Sequence, residues 1–181
     1  MERIISHYFY MRSSSDRPKH RIAEMRKNGE QNETLEECFE LQHRGCESNM
    51  MTRFFCGNAE FCKTGSREAI KRAKSNMMHH FAAIGLVDHL DLYLEILRKR
   101  LPHFFRIKRS LSHVKANNKK GYLGKVPPGV KAKLKHANFA DYEIYKYAKE
   151  MFWKQVKACS LHGNQYESEK ENDKKSRFVL R

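Results

Sequence analysis

Acidic residues are the scarce component of this 181-residue chain: 21 Asp and Glu stand against 36 Lys and Arg, a formal net charge of +15 at pH 7. A surplus of that size calls for a polyanion nearby: nucleic acid, an acidic membrane surface, a phosphorylated cofactor or a sulfated sugar. Charge alone does not choose among them. Long apolar runs are missing too, and none reaches the ~18–20 residues that a bilayer-spanning helix needs. The opening "MERIISHYFYMRSSS" has only a short, helix-periodic apolar run, broken by His7 and without a small-residue cleavage site, so it does not read as a secretory leader. Taken literally, these absences describe a cytosolic protein. What remains, 40% hydrophobic and 11% aromatic residues, suffices for one domain with a real core, or for part of a larger one.

The five cysteines argue against the cytosol. Cys38 and Cys46 are eight positions apart and Cys56 and Cys62 six, with Cys159 left over. The C-x(2–4)-C knuckle of zinc sites is absent, and so is the C-x-x-C of thioredoxin-like redox pairs. Two short disulfide loops are the economical reading, with buried free thiols or a metal as the alternatives. The sequon Asn32-Glu33-Thr34, an N-glycosylation signal in a polar stretch, points to the same oxidising compartment.

Periodicity predicts a helix over "ERIISHYFYMR", with Ile4, Ile5, Tyr8 and Phe9 on one stripe. Residues 16–33 read as a polar loop. "TLEECFEL" reads as a short helix capped by Thr34, with Glu37 completing a capping box. After the second cysteine pair, "SREAIKRAKSNMMHHF" is a strong helix with Ser66 as N-cap, and "DHLDLYLEILRKRL" an amphipathic one stopped by Pro102. The apolar "AAIGLV" between them suits a buried strand, and helix–strand–helix is the pattern of an α/β domain with a parallel sheet. Residues 98–135 hold thirteen Lys or Arg and no acid, punctuated by Gly and Pro, and read largely as a basic loop with an anion site. "DYEIYKYAKEMFWKQVKA" is the last helix, its aromatics core-facing. Residues 160–181 are polar and charged, and read as disordered.

Taken in order, "ERIISHYFY", a basic loop with Arg17-Pro18, C-x(7)-C, "FFCG" with a second Cys six on, "GSREAIKRAKSN", "IGL", "LPHFF", a basic loop and an aromatic helix form a pattern. It resembles the C-terminal part of the uronyl 2-O-sulfotransferases, from about Glu2 to Ala158. The resemblance implies an α/β fold: part of a P-loop-like sulfotransferase domain over residues 1–158, a parallel sheet flanked by helices with its N-terminal portion missing. Residues 159–181 form a tail. The implied reaction moves a sulfuryl group from PAPS, 3′-phosphoadenosine 5′-phosphosulfate, to the 2-hydroxyl of a uronic acid in heparan or dermatan/chondroitin sulfate. It also implies no metal, a Golgi lumenal setting through an N-terminal membrane anchor, and a homotrimer as one possible assembly.

Carried over residue by residue, Ser6 falls on a serine that grips the donor 3′-phosphate. Ser112, Lys120 and Lys125 fall on or beside further donor contacts, and Arg17 and Arg21 on or near substrate-binding arginines, whose guanidinium groups suit carboxylates and sulfates. Cys38–Cys46 and Cys56–Cys62 become structural disulfides; Asn32 is a glycosylation site on the sequon alone. The family's phosphosulfate loop and histidine base lie upstream of the matching region. No catalytic residue is therefore assigned, and the chain alone is expected to be inactive. "KTGS", Lys63 to Ser66, imitates a phosphate loop, but its place after the second cysteine pair favours a helix-capping turn. His7, His79, His80, His89 and His103 are scattered and carry no base assignment. A non-catalytic heparan sulfate-binding module is the alternative function. Nucleic acid is disfavoured, since no recognised binding motif accompanies the charge.

Overall fold

The computed structural model describes residues 2–12, 19–105 and 126–161. Among them are eight α-helices: α1 (Glu2–Arg12), α2 (Lys19–Lys27), α3 (Leu35–Glu40), α4 (Met50–Cys56), α5 (Arg67–His79), α6 (Leu90–Arg100), α7 (Pro128–Ala137) and α8 (Phe139–Ala158). Two 3₁₀ turns, Glu60–Lys63 and Val87–His89, complete the regular structure.

The expected parallel sheet is not seen, because no β-strand occurs among the described residues. The apolar run at 82–87 is extended around Ile84 and Leu86, which are buried as a strand's residues would be. What it lacks, among the described residues, is a neighbouring strand. Instead the side-chain amide of Gln155 on α8 accepts a hydrogen bond from the Ile84 N–H at 3.1 Å and donates one to the Ile84 carbonyl at 3.0 Å. One glutamine thus satisfies the backbone groups that a ladder would otherwise pair.

The chain divides into two compact units, 1–73 with 115–143, and 74–114 with 144–181. In the first unit, α1 turns Ile5 and Tyr8 onto Phe39 of α3, Leu134 of α7, Val126 and the sulfurs of Cys38 and Cys46. The predicted stripe is therefore the buried one, with Ile4 and Phe9 packed at its edge. Thr34 caps α3 as expected, its hydroxyl accepting the Glu37 N–H while the Glu37 carboxylate takes the Thr34 N–H. Gly45, at φ 92°, closes the return to Cys46. A Cβ there would stand 2.6 Å from Met11 Cγ, so both the left-handed backbone and the approach of α1 require glycine.

Two further elements depart from the sequence reading. The loop foreseen at 16–33 contains α2, held by buried Ile22 and Met25. The basic loop foreseen up to residue 135 contains α7, which Pro128 begins in its first turn, where a missing N–H costs nothing. The second unit has its own core of Leu86, Ile96, Phe152, Trp153 and Val156, with His89 stacked on Phe152. The aromatics Phe152 and Trp153 of the last helix are core, as expected, whereas Tyr145 is exposed. The tail expected at 159–181 falls, from residue 162 on, outside the described residues.

Candidate functional site

Ser6 sits on the face of α1 opposite Ile5 and Tyr8, and its side chain is exposed. Helical spacing puts the buried stripe at Ile5, Tyr8 and Met11 and leaves Ser6 and Tyr10 toward solvent. Arg21 is likewise exposed, on α2. Arg17, Ser112, Lys120 and Lys125 lie outside the described residues.

What fixes α1 is a polar cluster at its C-terminal end that sequence reasoning did not find. The Tyr8 hydroxyl donates to the Glu33 carbonyl at 2.5 Å, and the Arg12 guanidinium lies 4.2 Å over the Tyr8 ring. Arg12 Nη2 donates to the Glu33 carboxylate at 3.0 Å, and His43 Nδ1 meets its other oxygen at 2.5 Å. The Arg12 and Glu33 side chains are only 8% and 12% exposed, so this is a buried ion pair whose loss would strand a charge. Gln31 Nε2 donates to the Arg12 carbonyl at 3.0 Å and closes the end of the helix. Burial pushes the Tyr8 hydroxyl above its ordinary pKa, with the neighbouring Arg12 charge pulling the other way. The cluster orients the helix that carries Ser6. Its members come from three segments without a shared spacing, so periodicity held no signal for it beyond placing Tyr8 inward.

Both cysteine pairs are joined. Cys38–Cys46 links α3 to the turn after it with Cα atoms 5.8 Å apart, and Cys56–Cys62 ties the end of α4 to the first 3₁₀ turn at 5.5 Å. All four residues are buried, and Cys159 is unbridged. "KTGS" proves to be a capping turn: Thr64 Oγ1 donates to the Phe61 carbonyl at 2.7 Å and Ser66 Oγ accepts from the Ala69 N–H at 3.2 Å. Lys63 is paired with Glu60, and a Cβ on Gly65 would stand 2.5 Å from Asn49 Nδ2.

Several cations of the basic stretch are engaged within the fold. Lys133 bridges Glu36 at 2.6 Å and Glu40 at 3.4 Å, and these bonds raise its pKa. Arg98 pairs with Glu95, Lys99 donates to the Cys159 carbonyl, and Arg100 donates to the Ala82 carbonyl at 2.7 Å.

No protein-family model matches the chain, and no solved structure does. Curated relatives do. The chain is 31% identical over 162 residues to heparan sulfate 2-O-sulfotransferase 1 of Xenopus laevis, and 31% identical over 166 residues to that of Mus musculus. Each match covers 84% of this chain and 44% of the relative. Heparan sulfate 2-O-sulfotransferase hst-2 of Caenorhabditis elegans is 30% identical over 117 residues, 62% of this chain and 35% of its own length. Over most of its own length the chain is thus similar to curated heparan sulfate 2-O-sulfotransferases, and it spans less than half the length of these relatives.

Proposed function

We propose that the chain serves, as part of a sulfotransferase domain, in moving a sulfuryl group from PAPS to the 2-hydroxyl of a uronic acid in heparan sulfate. The observation that carries this reading is the 31% identity over 84% of the chain to proteins of that name. Two disulfide loops support the lumenal, Golgi side of the proposal, since such bridges persist in oxidising compartments. Membrane anchoring through an upstream segment and a homotrimer belong to the same proposal.

The work asked of these residues is positioning and charge. PAPS, when bound, supplies the sulfuryl group and carries phosphates that need donors. Ser6 fits one of them: its hydroxyl faces solvent from a helix whose other side is locked in the core. Arg21, exposed on α2, suits a carboxylate or sulfate of the sugar chain. The in-line step also needs a base within about 3 Å of the acceptor hydroxyl, and none is assigned here.

The test is a transfer assay with labelled PAPS and desulfated heparan, read by disaccharide analysis. It is run on the chain alone and on the chain joined behind the N-terminal part of the frog relative. Sulfate at the uronic 2-position is expected only from the joined protein, with Ser6→Ala raising its KM for PAPS. If both forms instead bind heparin with a steep salt dependence, ignore adenosine 3′,5′-bisphosphate and transfer nothing, the chain is a polyanion-binding module.

A further inference from the structure

We propose that Asn32 carries an N-linked glycan, and that the glycan is attached before the turn around it folds. The proposal rests on the lumenal part of the reading above. Its first ground is placement. Asn32 is exposed in the turn leading to α3, while its neighbour Glu33 points inward to Arg12 and His43. The acceptor amide thus faces solvent on a segment anchored from below, with room for a bulky, hydrated sugar.

The second ground is what folding does to the other two sequon residues. The Thr34 hydroxyl donates to the Glu37 carboxylate at 2.8 Å and accepts the Glu37 N–H at 3.2 Å. The Thr34 N–H goes to the same carboxylate at 2.8 Å, and the Glu33 carbonyl takes the Tyr8 hydroxyl at 2.5 Å. Cys38, four positions on, is locked to Cys46. Once folded, Asn32-Glu33-Thr34 cannot leave the surface to lie extended in a transferase cleft, and its threonine hydroxyl is already committed. Attachment must precede the capping box and the Cys38–Cys46 bond.

The chemistry is a substitution on a polyprenyl pyrophosphate-linked oligosaccharide. Asn32 Nδ2 forms a bond to the anomeric carbon and gives up one proton. The bond from that carbon to the pyrophosphate oxygen breaks, and the polyprenyl pyrophosphate leaves with the electron pair.

The experiment has two arms, both on the full chain. In the first, the chain is secreted from animal cells behind a cleavable leader, deglycosylated enzymatically in H₂¹⁸O and mapped by mass spectrometry. Conversion of Asn32 to ¹⁸O-labelled aspartate is expected, lost in Asn32→Gln and kept in Thr34→Ser. An unmodified Asn32 in material whose Cys38–Cys46 bond has formed overturns the site. In the second arm, solubilised oligosaccharyl transferase with its lipid-linked donor acts on purified unglycosylated chain, either folded and oxidised or reduced and unfolded. Modification of the unfolded chain at least tenfold faster is expected, and equal rates overturn the order of events. Asn32→Gln in the joined protein leaves sulfate transfer unchanged, so failure of the glycan and failure of the sulfotransferase reading are told apart.

Discussion

Removing the Asp141 carboxylate is the most informative single perturbation of the first unit. α4 begins at Asn49, which adopts a left-handed backbone and makes no side-chain cap. The cap comes from α8. Asp141 Oδ2 accepts the Met51 N–H at 3.1 Å, and Oδ1 accepts both the Thr52 N–H at 2.7 Å and the Thr52 hydroxyl at 2.8 Å. Thr52 is fully buried, so in Asp141→Ala neither of its donors can turn to water. A hydrogen bond to a charged acceptor contributes about 1.5–3 kcal/mol, and a stranded buried donor costs about 1–3 kcal/mol. These overlap with the roughly 0.5–2 kcal/mol of a lost N-cap, so a net destabilisation of about 3 kcal/mol follows. For a chain of this size that lowers Tm by about 6–12 °C. Asp141→Asn, which keeps one oxygen, should fall between. Far-ultraviolet circular dichroism against temperature and urea is the right probe, since the single tryptophan, Trp153, belongs to the second unit. The cycle with Thr52→Val should show a coupling of about 0.5–3 kcal/mol. An Asp141→Ala protein within about 0.5 kcal/mol of the parent would refute the reasoning.

Gln155→Leu leaves the Ile84 N–H and carbonyl without their partner and should cost about 2–4 kcal/mol in urea unfolding, while Gln155→Glu, which keeps the acceptor but sets a buried carboxylate against the Ile84 and Met151 carbonyls, should cost at least as much at neutral pH. Cys46→Ser opens the loop to Cys38 and removes a sulfur from the core of the first unit. A loss of about 2–3 kcal/mol is expected, read as a urea midpoint that lies between those of the oxidised and the reduced parent, since reduction also opens Cys56–Cys62. Glu37 has its carboxyl pKa lowered, first by the Thr34 N–H and then by the Thr34 hydroxyl. A depressed folded pKa gives stability that is present above the ordinary carboxylate value and is lost as pH falls through the folded one. Glu37→Gln should therefore flatten the acid side of the stability profile, and an unchanged profile would count against the capping box.

Sequence read well wherever an element carries its own signals. α1, α5, α6 and α8 have apolar positions at helical spacing, and α3 and α5 begin at local caps, Thr34 and Ser66, that the structure reproduces. α2 was hidden because Ile22 and Met25 are the only buried residues in a run of charge. α4 was hidden because its cap, Asp141, lies 89 positions from Thr52. α7 was hidden because the Pro127-Pro128-Gly129 cluster looks like a loop, although a proline also opens a helix. The false strand has a similar cause. The run at 82–87 has the right composition, yet whether an extended segment becomes a strand depends on its neighbour, and here that neighbour is a glutamine on a helix.

The same distinction governs the site. The cysteines were legible because short loops bring their own ends together, whereas Ser6 came only from the family resemblance; helical spacing accounts for its exposure and not for its role. The Arg12–Glu33–His43 cluster was not, since its partners meet only through the packing of α1 against the segment before α3 and the turn after it. Net charge overstates what the described cations of the basic stretch have free. Thirteen cations in residues 98–135 suggest a continuous anion surface, yet Arg98 is paired with Glu95, Lys133 with Glu36 and Glu40, and Arg100 is spent on a backbone carbonyl. A cation held by an acid contributes little net field beyond a Debye length of about 10 Å at 0.1 M salt. Among the described residues, a surplus field must therefore come from exposed cations outside such pairs, and the exposed Arg21 on α2 is a stronger candidate than Lys133, although Lys133 lies in the richer run.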